Sequence, residues 1–391
     1  MDEIRIGIAG LGGRSRRWIS TLLKMPGYRI TALYDWIEPL HERALSLIEY
    51  RNDVVVFSDY EDFLSYRDMD AVGLVVRRKD QGAMAAQALE AGKHVNMEVP
   101  AAHTMEDCWR IVTAAERTGR IYQLAEQTRY WGFVDAWRDL VAEGRLGRVT
   151  YCEGQYIGYY GTRQFFQDYK TGQQCRVEEL PSHPGAEPTW LHLMPPIHYL
   201  PHELSPMLKV LDDRVVEVTA MSTGSPSYSH PEIDQPDIQV ALMKTEKDRL
   251  LRMATGFMQK IPSRRGHHWY QVIGTRGCVE WKRSEKGRPL MWLADSQMHD
   301  MAEVDWKFER TDAPAEAHGS GHGDADYYVH TAFWNAVVGN KPLEFDVYRA
   351  METAAPAVLA AESIARGTEL MKVPDFRPNE TRSSGQMPGG D

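Results

Sequence analysis

Gly10-Leu11-Gly12-Gly13-Arg14-Ser15 is the densest group of chemically capable residues in the sequence. Glycines at this spacing let a backbone turn tightly against a pyrophosphate, whose charge is met by free amides and the positive end of the helix that follows. Ser15 stands at the third glycine of GxGxxG, a position that serves helix packing more than phosphate contact. Asp35, 25 residues beyond Gly10, is placed to accept hydrogen bonds from adenosine ribose hydroxyls and to repel a 2′-phosphate, favouring NAD over NADP, although Arg14 and Arg43 nearby weaken that preference. Arg77, Arg78 and Arg163 are suited to hold a carboxylate or sulfonate bidentately, or equally to lie on a solvated face. Trp190, His192, Arg264, His267 and His268 are further pocket candidates. His198 and His202 share the i,i+4 spacing of helical zinc ligands, but no third ligand is visible and Pro201 disfavours a regular helix, so no metal is expected.

The glycine loop needs a strand before it and a helix after it, and the first 124 residues supply that alternation. Strands are expected at Ile4 to Ala9, Tyr28 to Tyr34, Val54 to Phe57, Ala71 to Val76, His94 to Met97 and Arg120 to Leu124, with helical patterns such as Met84 to Ala91 and Met105 to Thr118 between them. This predicts a doubly wound parallel sheet of Rossmann type, an NAD-binding domain over residues 1–124. Beyond Gly144 to Gly147 the texture becomes β-branched and aromatic, in runs at Val149 to Ile157, Val215 to Met221, Asp237 to Met243 and Trp269 to Ile273. These runs lack full crossover helices, which predicts an α/β domain with an open, mostly antiparallel sheet over 125–373. Helices at Asp324 to Val338 and Tyr348 to Arg366 should pack between the domains or on that sheet, and 374–391 reads as a mobile or draped tail.

Composition narrows the function classes. With 391 residues, 43% hydrophobic and 26% charged, the chain can fold as two domains and is not disordered or repetitive. A formal net charge of −10 matches neither nucleic acid nor an anionic bilayer. The four cysteines, without a CxxC pair, indicate neither disulfides nor a zinc site, and no signal or transmembrane segment is apparent, so a cytoplasmic protein acting on a small molecule is expected.

Gly92-Lys93-His94-Val95-Asn96-Met97-Glu98-Val99-Pro100, following the glycine loop at this distance, resembles the Gfo/Idh/MocA oxidoreductases, and Glu126-Gln127-Thr128-Arg129 adds to the likeness. The resemblance implies dinucleotide contacts from Arg77, Glu98, Gln127 and Arg129, and a sheet that often serves as the subunit interface, hence a homodimer or homotetramer. Dehydrogenases of the family usually read Glu-Lys-Pro, with the lysine assisting proton transfer; here Val99 stands in its place. Val76-Arg77 replaces the usual Thr-Pro, and the usual Asp-x-x-x-His appears as His198-Tyr199-Leu200-Pro201-His202.

Glu98 to Ala102, Tyr199-x-x-His202 and Leu204-Ser205-Pro206 look like the NAD-dependent glycosidases of this superfamily, typified by α-N-acetylgalactosaminidases, and His322-Gly323 resembles another of their segments. In that branch a sugar is oxidised at C3, eliminates its aglycone across C1–C2, adds water and is reduced again. By resemblance His202 is the base for the C3 hydroxyl and Tyr199 the acid or base at C2 or the leaving oxygen, or the roles are exchanged. His198 is either an active-site contact or a structural partner of His202. Arg78, Arg163, Trp190 and His322 are the expected substrate contacts, and the arginines would suit a uronide or a sulfoquinovoside, as in NAD-dependent sulfoquinovosidases. Glu203 and Ser205 depart from the branch's glycines and leave the sugar open. The rival readings are an NAD-linked sugar or inositol dehydrogenase and a non-catalytic dinucleotide-binding sensor.

Overall fold

A computed structural model describes residues 3–76, 79–159, 164–259, 267–380 and 382–388, and for Trp190 the backbone alone. Among them the first half alternates strand and helix: β1 (Ile4–Ala9), α1 (Gly13–Leu22), β2 (Tyr28–Tyr34), α2 (Pro39–Leu45), β3 (Val55–Phe57), α3 (Tyr60–Ser65), β4 (Ala71–Leu74), α4 (Gln81–Glu90), β5 (His94–Met97), α5 (Met105–Thr118) and β6 (Tyr122–Leu124). All neighbours in this six-stranded sheet are parallel, in the order β3-β2-β1-β4-β5-β6, so the switch in direction falls between β1 and β4, beside the glycine loop. Strands covered on both faces read as apolar runs, and Ile4, Ile6, Ile8 and Leu33 are fully buried accordingly. Helix α5 starts where the Thr104 side chain accepts the Asp107 amide and stops at Gly119, in the left-handed region at φ 63°.

The second half follows: α6 (Gly132–Ala142), β7 (Val149–Ile157), β8 (Phe166–Asp168), β9 (Gln173–Cys175), β10 (Ala186–Pro188), α7 (Trp190–Leu193), α8 (Pro201–Leu211), β11 (Val215–Ser222), β12 (Gln239–Thr245) and β13 (Leu250–Gly256). Then come β14 (His268–Gly274), β15 (Gly277–Glu280), β16 (Leu290–Leu293), β17 (Ala302–Glu303), α9 (Ala325–Val337), α10 (Val347–Ala365) and β18 (Met371–Lys372). Nine strands form one open sheet, β17-β16-β15-β14-β7-β13-β12-β11-β18, antiparallel except where β7 runs parallel to β13. The three short strands β8 to β10 form a separate sheet in a stretch that carries no clear periodicity.

The strand expected from Asp237 begins two residues later, because the Asp237 carboxylate accepts the Ser227 hydroxyl and the Tyr228 amide and holds the preceding loop instead. Helix α9 lies on the first domain, with Val329 and Phe333 in its core, while α10 packs on β11 and α5, between the two sheets. Of the two states expected for the tail, the described part adopts the draped one: Phe376 is fully buried against Trp109 of α5. No helix among the described residues is long and apolar enough to cross a membrane.

Candidate active site

The glycine loop has the shape a dinucleotide requires. Gly10 sits at φ +88°, and a Cβ there would stand 2.7 Å from the Val75 carbonyl oxygen, so the turn excludes any side chain. Gly12 and Gly13 open on free space, where a Cβ would meet nothing within 4 Å, at the uncapped N-terminus of the ten-residue α1. Ser15 folds back instead, its hydroxyl donating to the Gly12 carbonyl, while Asp35 at the end of β2 accepts the Leu11 amide at 2.7 Å and the Ile37 amide at 2.9 Å. Gly10, Gly12, Gly13 and Asp35 are therefore placed together at the carboxyl ends of β1 and β2.

Arg14 does not reach toward that space: Glu98 and Asp326 engage its guanidinium. Arg129 is likewise directed elsewhere, donating to Ser205 and Glu344 with its guanidinium over the Phe345 ring, and Gln127 is buried beside it in sequence. Those partners hold the Arg129 guanidinium between α8 and the stretch before α10.

Tyr199 ends the short turn that leads into α8 and His202 is the second residue of that helix, which brings His202 to the carboxyl end of the parallel sheet beside Glu126. Pro206, inside α8, has no N–H to give the His202 carbonyl four residues back. That carbonyl instead accepts the Thr128 hydroxyl at 2.8 Å and the Tyr270 hydroxyl at 2.9 Å, which pins the backbone under the imidazole. His202 Nδ1 lies 3.0 Å from Glu126 Oε1, just beyond β6. Burial alone would raise the Glu126 pKa, but His202 and the Thr128 amide and hydroxyl more than offset it and hold the carboxyl below its usual range. An ionised Glu126 accepts Nδ1–H and leaves His202 Nε2 as the basic nitrogen.

Around this pair stands an aromatic layer. Tyr199 is stacked near His202 with ring centroids 6.0 Å apart, and Tyr156 meets His202 edge-on at 5.2 Å. Tyr156 also stacks on its cross-strand neighbour His268 at 4.2 Å. Glu203 lies under His268, Oε1 to Nδ1 2.6 Å, in a gap that Gly154 opens. Burial, with the nearby Glu126 charge, pushes the Glu203 carboxyl well up, and burial pushes His268 well down, so this pair is neutral, with the carboxyl donating to Nδ1.

Glu126, Tyr156 and Glu203 were not singled out as acting residues in the sequence. Glu126 had one visible signal, an acid just past a buried strand at the carboxyl edge of a parallel sheet.

His198 sits apart, its ring 5.1 Å from that of His103, just beyond Val99 and Pro100. Burial lowers His198 to about 3, and burial with the Lys79 charge lowers His103 to about 4, so both stay neutral near pH 7 and His198 is a weak base. Neither partners His202 through a hydrogen bond among the described residues. His192 Nε2 accepts the Asp234 amide and supports a loop. Val99, 2% exposed, fills the lysine position with an apolar side chain. His322 Nδ1 lies 2.9 Å from Asp326 Oδ1, and Trp131, edge-on to His268, donates its indole N–H to the His322 carbonyl. Arg77, Arg78, Arg163, Arg264 and the Trp190 side chain lie outside the described residues.

Comparison with known proteins adds two family matches and a set of relatives. Residues 4–126 match the oxidoreductase family with an NAD-binding Rossmann fold, and residues 217–382 match the glycosyl hydrolase 109 C-terminal domain. A glycosyl hydrolase family 109 protein of Porphyromonas gingivalis is 25% identical over 96% of this chain and 85% of its own length. One from Saccharopolyspora erythraea is 25% identical over 99% and 85%. Among solved structures, an oxidoreductase from Agrobacterium radiobacter, in complex with NAD+, L-tartaric acid and magnesium, superposes with a TM-score of 0.72 at 14% identity, covering 95% of this chain and 98% of that one. Scyllo-inositol dehydrogenase from Lactobacillus casei gives 0.69 at 16% identity, over 95% and 99%.

Proposed function

Because the chain belongs to the NAD-dependent glycosidase branch of the Gfo/Idh/MocA superfamily, we propose that it hydrolyses glycosides by transient oxidation at C3 of the sugar, elimination across C1–C2, water addition and re-reduction. Gly10, Gly12, Gly13 and Asp35 would hold NAD, which when bound accepts and returns a hydride. His202 Nε2 takes the C3 hydroxyl proton, and the Glu126 carboxylate at 3.0 Å stabilises the imidazolium that forms. The resulting ketone acidifies the C2 hydrogen, which Tyr199 removes; the reverse assignment of Tyr199 and His202 is compatible with the same chemistry. Tyr156, half-buried between His202 and His268, offers an aromatic edge against which a sugar can pack. The observation that carries this reading is the His202–Glu126 pair, a buried base and its orienting carboxylate, in a site whose lysine position is Val99.

The substrate class proposed is an anionic sugar glycoside, a sulfoquinovoside or uronide, with an N-acetylhexosaminide as the other candidate. Arg77, Arg78 and Arg163 support the anionic sugar by their chemistry alone. A cytoplasmic homodimer or homotetramer completes the proposal.

Aryl glycosides of neutral, N-acetylated, uronic and sulfonated sugars, incubated in deuterated water with and without NAD, test it. Phenol release with deuterium at C2 and no accumulated NADH is the expected result. NADH accumulation without cleavage would make the protein a dehydrogenase, and tight NAD binding with no turnover would make it a sensor.

A further inference from the structure

A line of buried charge crosses from the glycine loop into the second half of the chain. Glu98 Oε2 accepts the Trp18 indole N–H at 2.8 Å and Arg14 Nε at 2.7 Å. The terminal nitrogens of Arg14 donate to both oxygens of Asp326, at 2.7 and 3.0 Å, and Asp326 Oδ1 meets His322 Nδ1 at 2.9 Å. Glu98 and Asp326 are buried, whereas the His322 side chain, at the end of the line, is 37% exposed. Burial opposes the charge on Asp326, but Arg14 and His322 outweigh it and hold the carboxyl far below its usual range. The ionised carboxylate takes Nδ1–H and leaves Nε2 as the working nitrogen of the ring.

The backbone of His322 is held as firmly. Its φ of 49° is a left-handed conformation that a residue with a side chain seldom adopts and that persists only where surroundings enforce it. The Trp131 indole N–H fixes its carbonyl at 2.7 Å, and the Trp131 ring abuts His268. Glu203 and His268 form a neutral pair and His202 already has a role; of the part-exposed imidazoles beside the aromatic layer, His267 and His322, it is His322 that an ionised carboxylate orients. An aglycone departs toward solvent, so its oxygen is the atom of the substrate that an exposed group can serve.

We infer that His322, oriented by Asp326, is the acid–base group for the oxygen on C1: it protonates the departing aglycone and then deprotonates the entering water. The inference rests on the glycosidase reading above. In the elimination, the base at C2 takes the C2 proton, the C–H electron pair becomes the C1–C2 π bond, the C1–O bond breaks, and the leaving oxygen takes a proton from His322 Nε2. In the hydration, neutral His322 takes a proton from water as its oxygen bonds to C1, and C2 regains a proton from the group that removed it. Water is the only co-reactant and no oxidation state changes in these two steps.

Methyl and 4-nitrophenyl glycosides of one sugar, compared in deuterated water with NAD present, provide the test. Nitrophenolate leaves without a proton, so His322→Gln should lose about a hundredfold more kcat/KM on the methyl glycoside than on the nitrophenyl one. Deuterium should still enter C2 of recovered methyl glycoside, because that exchange precedes C1–O cleavage. Asp326→Asn should bias the two aglycones in the same direction but less, and both variants should bind NAD, followed by protein fluorescence, within a few fold of wild type. Equal loss on both aglycones, loss of C2 exchange together with cleavage, or loss of NAD binding in both variants would overturn the role of His322. A wild type that cleaves neither glycoside of the sulfonated, uronic and N-acetylated sugars would instead overturn the glycosidase reading itself.

Discussion

Two glutamate–histidine pairs stand side by side, and their surroundings give them opposite characters. Glu126 receives three donors, His202 Nδ1–H and the Thr128 amide and hydroxyl, and keeps its charge despite complete burial. Glu203 is equally buried, has His268 as its hydrogen-bond partner, and feels the negative charge of Glu126, so it holds its proton. Glu126→Gln removes the counter-charge for a protonated His202 and lets an amide present the wrong group to Nδ1. It should lower kcat by about 10²–10⁴-fold while the NAD dissociation constant stays within a few fold. Steady-state kinetics beside an NAD titration check both halves, and a loss confined to NAD binding would remove Glu126 from proton transfer. Glu203→Gln, in contrast, substitutes one neutral donor for another. It should keep kcat within a few fold, whereas Glu203→Ala, which leaves His268 Nδ1 only the longer 3.5 Å contact with the Tyr270 hydroxyl, should lower stability by about 1–3 kcal/mol. A large loss of kcat in the glutamine variant would show that Glu203 works as an anion.

At the scale of elements, α8 is the piece that must be placed correctly, since it carries His202 and follows Tyr199 directly. It can approach the sheet closely because Gly154 of β7 has no side chain: a Cβ there would stand 2.8 Å from both the Glu203 Cβ and the Met253 sulfur. Met253 can bend away, but Glu203 Cβ is fixed to the helix. Gly154→Ala should therefore shift α8 outward, at a cost of about 1–3 kcal/mol, and lower kcat through misplaced His202 by roughly tenfold or more. Thermal unfolding and kcat measured on the same preparation check this; an unchanged kcat at lowered melting temperature would separate packing from the site. The elements themselves were largely legible. Periodic runs with local stop signals, such as β1, β2, β5, β7 and α5, fall where the residue pattern puts them, since their signals lie within a few residues. The pairings that make the site are not local: Glu126 and His202 are 76 residues apart, Glu203 and His268 are 65 apart, and Arg14 and Asp326 are 312 apart. No periodicity encodes which acid meets which histidine, so Arg14 reads in the sequence as a cofactor contact although its charge is engaged by Glu98 and Asp326.

At the scale of the whole molecule, the tail ties the two halves together. Its composition, polar and rich in glycine and proline, hides two anchors: Phe376, packed on Trp109, and Arg382, 4% exposed as a side chain, whose guanidinium donates to both oxygens of Glu116 at 2.8 and 2.9 Å. Glu116, on α5, also accepts the Tyr348 hydroxyl of α10 and the Gly385 amide, so one carboxylate joins three segments. Burial raises its pKa, but Arg382, Gly385 and Tyr348 more than offset this and leave it lowered. A carboxyl whose folded pKa is depressed contributes stability that is present above its ordinary pKa of roughly 4.3 and fades as pH falls through the folded value. Arg382→Ala leaves that charge held by the Tyr348 hydroxyl and the Gly385 amide alone, and at pH 7 the loss should be about 1–3 kcal/mol, the cost of removing a charged hydrogen-bond partner. The variant can escape the penalty by protonating Glu116, so the gap in melting temperature between wild type and variant should be widest near neutrality and narrow below about pH 4. Melting curves of both proteins from pH 7 to pH 3.5 measure it. A constant gap across that range would mean that Arg382 holds the tail by packing on Trp109 and by its contact with the Phe376 carbonyl, with the Glu116 charge playing no part.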